Sequence, residues 1–204
     1  MRRTPDFMIT DPEEVKRLIR ENPWATVVTN TANGLVASHY PMVLEEDRDE
    51  ISLVSHVGRP DDRLLELGSG EMLVIIQGPH GYVSSGWYGD HVAVPTWNHV
   101  SAHLYGTPEI LSDEENWRVL SELVDHFEGH LPHPRRLADT EEYGRKIFSG
   151  TVGFRLMVTR FEARAKLSQD KPEPVTRAVV GELEHNEVYA QPALAAEMHR
   201  IYDK

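Results

Sequence analysis

An Asn33-Gly34 pair lies between two runs rich in β-branched and apolar residues, Trp24–Thr29 and Leu35–Leu44. The favoured two-residue hairpin turn needs positive φ at its central positions, which Asn and Gly tolerate, so the pair reads as a β-hairpin link. Similar runs follow at short intervals: Ile51–Val57, Glu71–Gln77, Tyr82–Tyr88, His99–Leu111 and Val152–Ala165. Their β-branched and aromatic content reads as strand. They do not alternate regularly with helical segments, which argues against a doubly wound parallel sheet. The expected fold class is mainly β with α, a β-barrel decorated by helices.

The helical signals are few. Asp11 can cap a helix in which Pro12 suits the first turn and Val15, Leu18 and Ile19 form one apolar stripe, up to Asn22-Pro23. Arg59–Leu67 reads as a short helix closed by Gly68. Ser112-Asp113-Glu114-Glu115 is a capping box, with Trp117, Leu120, Leu123, Val124 and Phe127 as the stripe behind it. Glu141–Phe148 reads as another helix, and Pro172 and Pro174 lead into a weakly patterned helical tail. Gln77-Gly78-Pro79-His80-Gly81-Tyr82 reads as a chain reversal between strands.

Composition closes off several functions. The chain of 204 residues carries 33 acidic and 21 basic side chains, a formal net charge of −12. Affinity for DNA or RNA rests on cations that neutralise phosphates, so this charge opposes direct nucleic-acid binding by a broad basic face. There is no cysteine, which excludes a disulfide framework, a zinc–thiolate site and a thiol nucleophile. No Walker-type, Rossmann-type or nucleophile-elbow glycine motif is present. No apolar run approaches the roughly 20 residues of a membrane span. Met1–Asp6 lacks the apolar core of a secretory signal, so a cytoplasmic protein with no membrane partner is expected.

The 11 histidines raise the question of a metal. His99 and His103 would share a strand face, and His126 and His130 a helix face with His133 nearby. Neither group has the spacing of a metal motif, and no metal site is expected. Three other segments carry concentrated chemistry. Gln77–Gly106 holds Trp87, Trp97, Tyr82, Tyr88 and Tyr105 among Ser, Thr, Asn and His. Flat faces with polar handles suit a planar heterocycle, and they suit a core or a subunit interface equally well. Ser55-His56-Val57-Gly58-Arg59 with Arg63 offers cations for a phosphate, against the competing acids Asp61 and Asp62. Lys166-Leu167-Ser168-Gln169 closes a strand and, taken alone, is a loop.

In order and spacing these segments resemble the PaiB family of FMN-binding negative transcriptional regulators. The carrying residues are Ala37-Ser38-His39 with Pro41, Gln77-Gly78-Pro79-His80 with Tyr82, and Ser84-Ser85-Gly86-Trp87-Tyr88. Val94-Pro95-Thr96-Trp97-Asn98, His103 with Tyr105-Gly106, Val152-Gly153-Phe154 and Lys166-Leu167-Ser168-Gln169 continue the series. The resemblance implies an FMN-binding split β-barrel of the pyridoxamine-phosphate-oxidase-like type, assembled as a homodimer with FMN at the subunit interface. It implies residues 1–170 as the FMN-binding domain and 171–204 as a helical tail. It also implies cofactor contacts from Ser38, His39, Pro41, His56, Gln77, Trp97, Lys166, Ser168 and Gln169. Arg59 and Arg63 fall on the FMN phosphate by analogy with related barrels. The sequence departs from the family where Asp61-Asp62-Arg63-Leu64 replaces Asn-Pro-x-Trp, and where His99 and Asp170 stand for Tyr and Asn.

Three functions follow as expectations. The first is an FMN-binding homodimer with a direct or indirect role in transcriptional regulation, although no helix-turn-helix pattern is visible. The second is a flavin-dependent oxidoreductase acting on a small molecule, with His39, His56 or His80 moving protons. The third is a haem- or metal-binding protein using the histidines.

Overall fold

In a computed structural model of the chain, residues 4–202 are described; Met1–Arg3, part of the leader reading, and Asp203–Lys204 lie outside them. Ten strands run in chain order as β1 (Met8–Ile9), β2 (Trp24–Thr31), β3 (Gly34–Pro41), β4 (Val43–Leu44), β5 (Ser52–Gly58), β6 (Met72–Val83), β7 (Thr96–Gly106), β8 (Glu109–Ile110), β9 (Thr151–Met157) and β10 (Arg160–Lys166). The α-helices are α1 (Pro12–Glu21), α2 (Asp61–Leu64), α3 (Asp113–Glu128), α4 (Glu141–Phe148), α5 (Glu173–His185) and α6 (Pro192–Tyr202). The chain divides into two compact units, one of residues 1–18, 77–102 and 162–204, the other of residues 19–76 and 103–161.

The second unit contains the Asn-Gly hairpin. β2 and β3 pair antiparallel from Thr31↔Gly34 to Trp24↔Pro41, and Gly34 takes φ 103°, where a side chain would be strained. β2 also pairs with β6 through Thr26↔Ile75. A separate antiparallel sheet has the order β4-β5-β9-β8. Its core residues Leu53, Val57, Phe154 and Leu156 are buried, and α3 closes over Val54 with Leu111, Val119 and Leu123. α3 starts at the expected capping box: Ser112 Oγ accepts from the Glu115 N–H at 3.3 Å, and the Glu115 carboxylate accepts from the Ser112 N–H at 3.3 Å. The buried face keeps Leu123 of the expected stripe and otherwise differs from it. Asn116, Val119 and Leu123 point inward, whereas Trp117 meets Phe148 of α4 edge-on at 5.7 Å and lies 4.4 Å under Arg145. α4 takes up the tryptophan, so α3 turns its neighbouring face to the sheet.

In the first unit the strand order is β1-β10-β7-β6, with Met8↔Arg164 in register. β6 corrects the expected chain reversal, since it runs unbroken through Gly78-Pro79-His80-Gly81. The glycines serve close approach rather than a turn. A Cβ at Gly78 would stand 2.7 Å from Leu18 Cδ1 and 3.3 Å from Val100 Cβ, and one at Gly81 would stand 2.9 Å from Gln191 Cγ. α1 and the start of α6 occupy the space those side chains would need. The tail is also better ordered than its pattern suggests. Val175, Val179 and Leu183 of α5, and Leu194 and Met198 of α6, are buried at helical spacing. Glu197 of α6, also buried, receives both Arg17 Nη atoms at 2.8 and 3.0 Å and Arg200 Nη2 at 3.2 Å, which ties α6 to α1.

Other expected segments break. Leu35–Leu44 divides into β3 and β4 around the buried Met42. Val152–Ala165 divides into β9 and β10 at Val158-Thr159. The Arg59–Leu67 helix shortens to Asp61–Leu64, because the backbone turns left-handed at Glu66, φ 46°, before reaching Gly68 at φ 83°. No helix among the described residues is long and apolar enough to cross a membrane.

Candidate functional site

The site residues expected from sequence divide between the two units. Ser38, His39, Pro41, His56, Arg59 and Arg63 lie in the second. Strand alternation sends Ser38 and His39 to opposite faces of β3. His39 is exposed and stacks on Trp24, with ring centroids 6.4 Å apart and planes 13° from parallel. On the other face, Tyr40 shares the side of Ser38, and its hydroxyl donates to the Asp61 carboxylate. Burial pushes the Tyr40 phenol up, and the bond to Asp61 pushes it further. The Pro41 carbonyl accepts from Ser55 Oγ at 2.7 Å, fixing the end of β3 on β5.

His56 follows on β5, opposite Gly153 of β9. Its Nδ1 is shielded from water with no partner among the described residues. Burial pushes its pKa below the ordinary 6.5, because it disfavours the charged imidazolium. Arg59 is engaged: Nε donates to the Ser149 carbonyl at 3.1 Å and Nη1 to Asp62 at 2.8 Å. Arg63 is exposed, with no ion-pair partner among the described residues. Asp61 is thus engaged by Tyr40 and Asp62 Oδ2 by Arg59, while Asp62 Oδ1 has no partner among the described residues.

The first unit carries Gln77, Trp97, Lys166, Ser168 and Gln169. Because β6 continues as a strand, His80 and Tyr82 share a face. Gln77 Nε2 lies 3.3 Å from His80 Nδ1, and the His80 ring stacks on Trp97 of β7 at 6.5 Å and 27°. Tyr82 meets Trp97 edge-on at 6.2 Å and Tyr189 at 5.1 Å. Trp97 is still 57% exposed, so the cluster forms an aromatic ledge open to a ligand or a partner. Nearby, burial and the charges of Arg164 and Lys166 push the His99 imidazole down.

Lys166 to Gln169 is a structural knot as much as a polar one. The Lys166 ammonium donates to Thr96 Oγ1 and, at 2.9 Å, to the Trp97 carbonyl. Ser168 adopts φ 67° and accepts from Asn98 Nδ2 at 2.9 Å. Gln169 clasps its own turn: Oε1 accepts from the Leu167 N–H and Nε2 donates to the Ala165 carbonyl, both at 2.6 Å. Both ends of the Gln169 side chain are thus engaged with backbone. Sequence reasoning did not single out Tyr40 or Tyr88 as site residues. The period-two relation of Tyr40 to Ser38 was the available signal for the first.

Among the described residues no three His, Asp or Glu side chains converge in a way that could hold a metal. His126 and His130 lie with ring centroids 6.1 Å apart on α3 and the turn after it. A cavity of about 480 Å³ lies along α5 and α6 beside Thr176, Val180, Glu184 and His199, and none of the residues expected from sequence lines it.

A family model described as "Putative FMN-binding domain" matches residues 1–160. "Protease synthase and sporulation protein PAI 2" of Bacillus subtilis is 32% identical over 190 residues, which is 89% of this chain and 88% of that protein. Among solved structures, the flavocytochrome Anf3 of Azotobacter vinelandii superposes with a TM-score of 0.62 at 15% identity, covering 87% of this chain and 78% of that one. An FAD- and heme-binding protein of Mycobacterium smegmatis gives 0.59 at 20% identity, covering 84% and 78%. At such identities these likenesses speak for the fold alone, a split β-barrel with added helices.

Proposed function

This chain belongs to the PaiB family of FMN-binding proteins, and from that premise we propose that it binds FMN as a homodimer in the cytoplasm and acts in gene regulation through the flavin or a protein partner. The observation that carries the flavin reading is the family match over residues 1–160. The residues present fit the ligand. FMN needs a face for a planar ring, hydrogen bonds for a polar rim and a cation for a phosphate. Within the first unit, Trp97 with His80 and Tyr82 offers the first and the Gln77 carboxamide the second. Bound FMN supplies reversible hydride and electron transfer, while the protein orients it and tunes it.

Two further points support the finer parts of the proposal. Gly34–Pro41 is the outermost strand of its sheet, with Leu35 78% exposed on it and Trp24 64% exposed beside it. An uncovered edge with exposed apolar side chains suits a second copy of the chain. The Bacillus relative is named a protease synthase and sporulation protein, and the link to sporulation supports regulation, while the charge of −12 favours an indirect route over DNA contact.

Flavin fluorescence tests this reading. FMN added to the purified full chain is expected to be quenched to saturation. Trp97→Ala is expected to weaken binding by roughly tenfold or more, the scale of one lost stacking contact. Unchanged fluorescence over the whole titration would refute it.

A further inference from the structure

Tyr88, Thr96, Lys166, Ser168, Asp170 and Lys171 line a cavity of about 190 Å³ in the first unit. Three features of its wall bear on what it can hold. The Lys166 ammonium is half-buried, and both of its acceptors, the Thr96 hydroxyl and the Trp97 carbonyl, are neutral. It has no carboxylate at ion-pair distance among the described residues. Asp170 acts on this ammonium only from beyond ion-pair distance and is already paired to Lys171, so a further negative partner is favoured there. Lys171 adds a second ammonium, paired to Asp170 at 2.6 Å, which leaves the wall with one net positive charge.

The third feature is Tyr88. The residue is 3% exposed, and its hydroxyl is shielded from water with no hydrogen-bond partner among the described residues. Buried phenols normally find a partner. This one lies within the electrostatic reach of Lys171 and Asp170. Ser168 Oγ already accepts from Asn98, so its own proton is available to donate. An ammonium, a phenol and a serine hydroxyl thus share one cavity, all able to donate. The volume is below the roughly 300 Å³ at which clefts for whole small ligands begin, and it suits a single tetrahedral group.

We propose that this cavity is an oxyanion site that takes a phosphate group, held by Lys166, Tyr88 and Ser168. The phosphate belongs either to FMN or to a separate phosphorylated molecule. Where FMN is the source, this cavity takes its single phosphate, and only in that case does the site depend on the flavin reading.

Titration calorimetry of the full chain at fixed ionic strength, with inorganic phosphate, FMN and riboflavin as probes, separates the cases. Tyr88→Phe removes a hydroxyl that has no partner to lose, so thermal stability is expected to stay level or rise. The same variant is expected to weaken the phosphate-bearing probe roughly tenfold, and Lys166→Met at least as much. If the phosphate is that of FMN, FMN weakens and riboflavin does not. If it belongs to another molecule, inorganic phosphate weakens and FMN does not; either pattern upholds the site. Wild-type affinity of Tyr88→Phe for both phosphate and FMN overturns it, as does an equal loss for FMN and riboflavin, or a wild-type chain that binds neither phosphate nor FMN. A wild-type chain that binds phosphate but neither flavin refutes the flavin reading and leaves this site standing.

Discussion

His56 and Glu45 weaken the protein in acid by opposite routes. Burial disfavours the His56 imidazolium, so its folded pKa lies below the 6.5 of the unfolded chain. The unfolded state therefore takes up the proton first, and stability falls as pH drops below 6.5. For Glu45, burial pushes the carboxyl up, but hydrogen bonds from Arg155 and Ser52 outweigh it and hold the pKa at about 2. Its contribution is complete above the ordinary 4.5 and is lost as pH falls towards 2. Urea unfolding between pH 7.5 and 5.5 is expected to show a declining stability that His56→Gln flattens; an unchanged slope would remove His56 as its source. The residue scale also shows why parts of the site were hidden in the sequence. In Lys166-Leu167-Ser168-Gln169 the Gln169 side chain is spent on its own turn, whereas Lys166 and Ser168 line a cavity. A motif records which residues are needed. It does not record whether their hydrogen bonds face inward or outward.

At the scale of elements, local signals were the legible ones. Asn33-Gly34 gave the hairpin, Asp11-Pro12 the start of α1, and Ser112 to Glu115 the start of α3. Each depends on a few neighbouring residues, so each can be read without tertiary context. Ser112→Ala removes one half of the capping box and is expected to cost about 1 kcal/mol, measured as a shift in chemical denaturation. A variant as stable as the wild type would show that packing alone sets the start of α3. What the sequence hid depends on distant partners. Gly78 and Gly81 look like turn residues and are instead strand positions against which Leu18 and Gln191 pack. Trp117 looks like core and instead serves α4. The division of Val152–Ala165 into β9 and β10 leaves no mark in a run of uniformly strand-forming residues.

At the scale of the whole molecule, composition and family resemblance carry different weight. The charge of −12 constrains how the protein meets nucleic acid, and the absence of cysteine removes thiol chemistry. Neither points to a flavin. That came from the order of motifs along the chain, and the family match over residues 1–160 bears it out. The grouping of chain segments was out of reach, because residues 1–18, 77–102 and 162–204 form one unit only through tertiary packing. FMN binding is the claim on which the rest depends. Equilibrium dialysis of the purified full chain against FMN, followed by mass spectrometry of what it releases on unfolding, tests it most directly. Saturable retention of a ligand with the mass of FMN is the expected result, and a chain that emerges with no flavin after dialysis against excess FMN would contradict it.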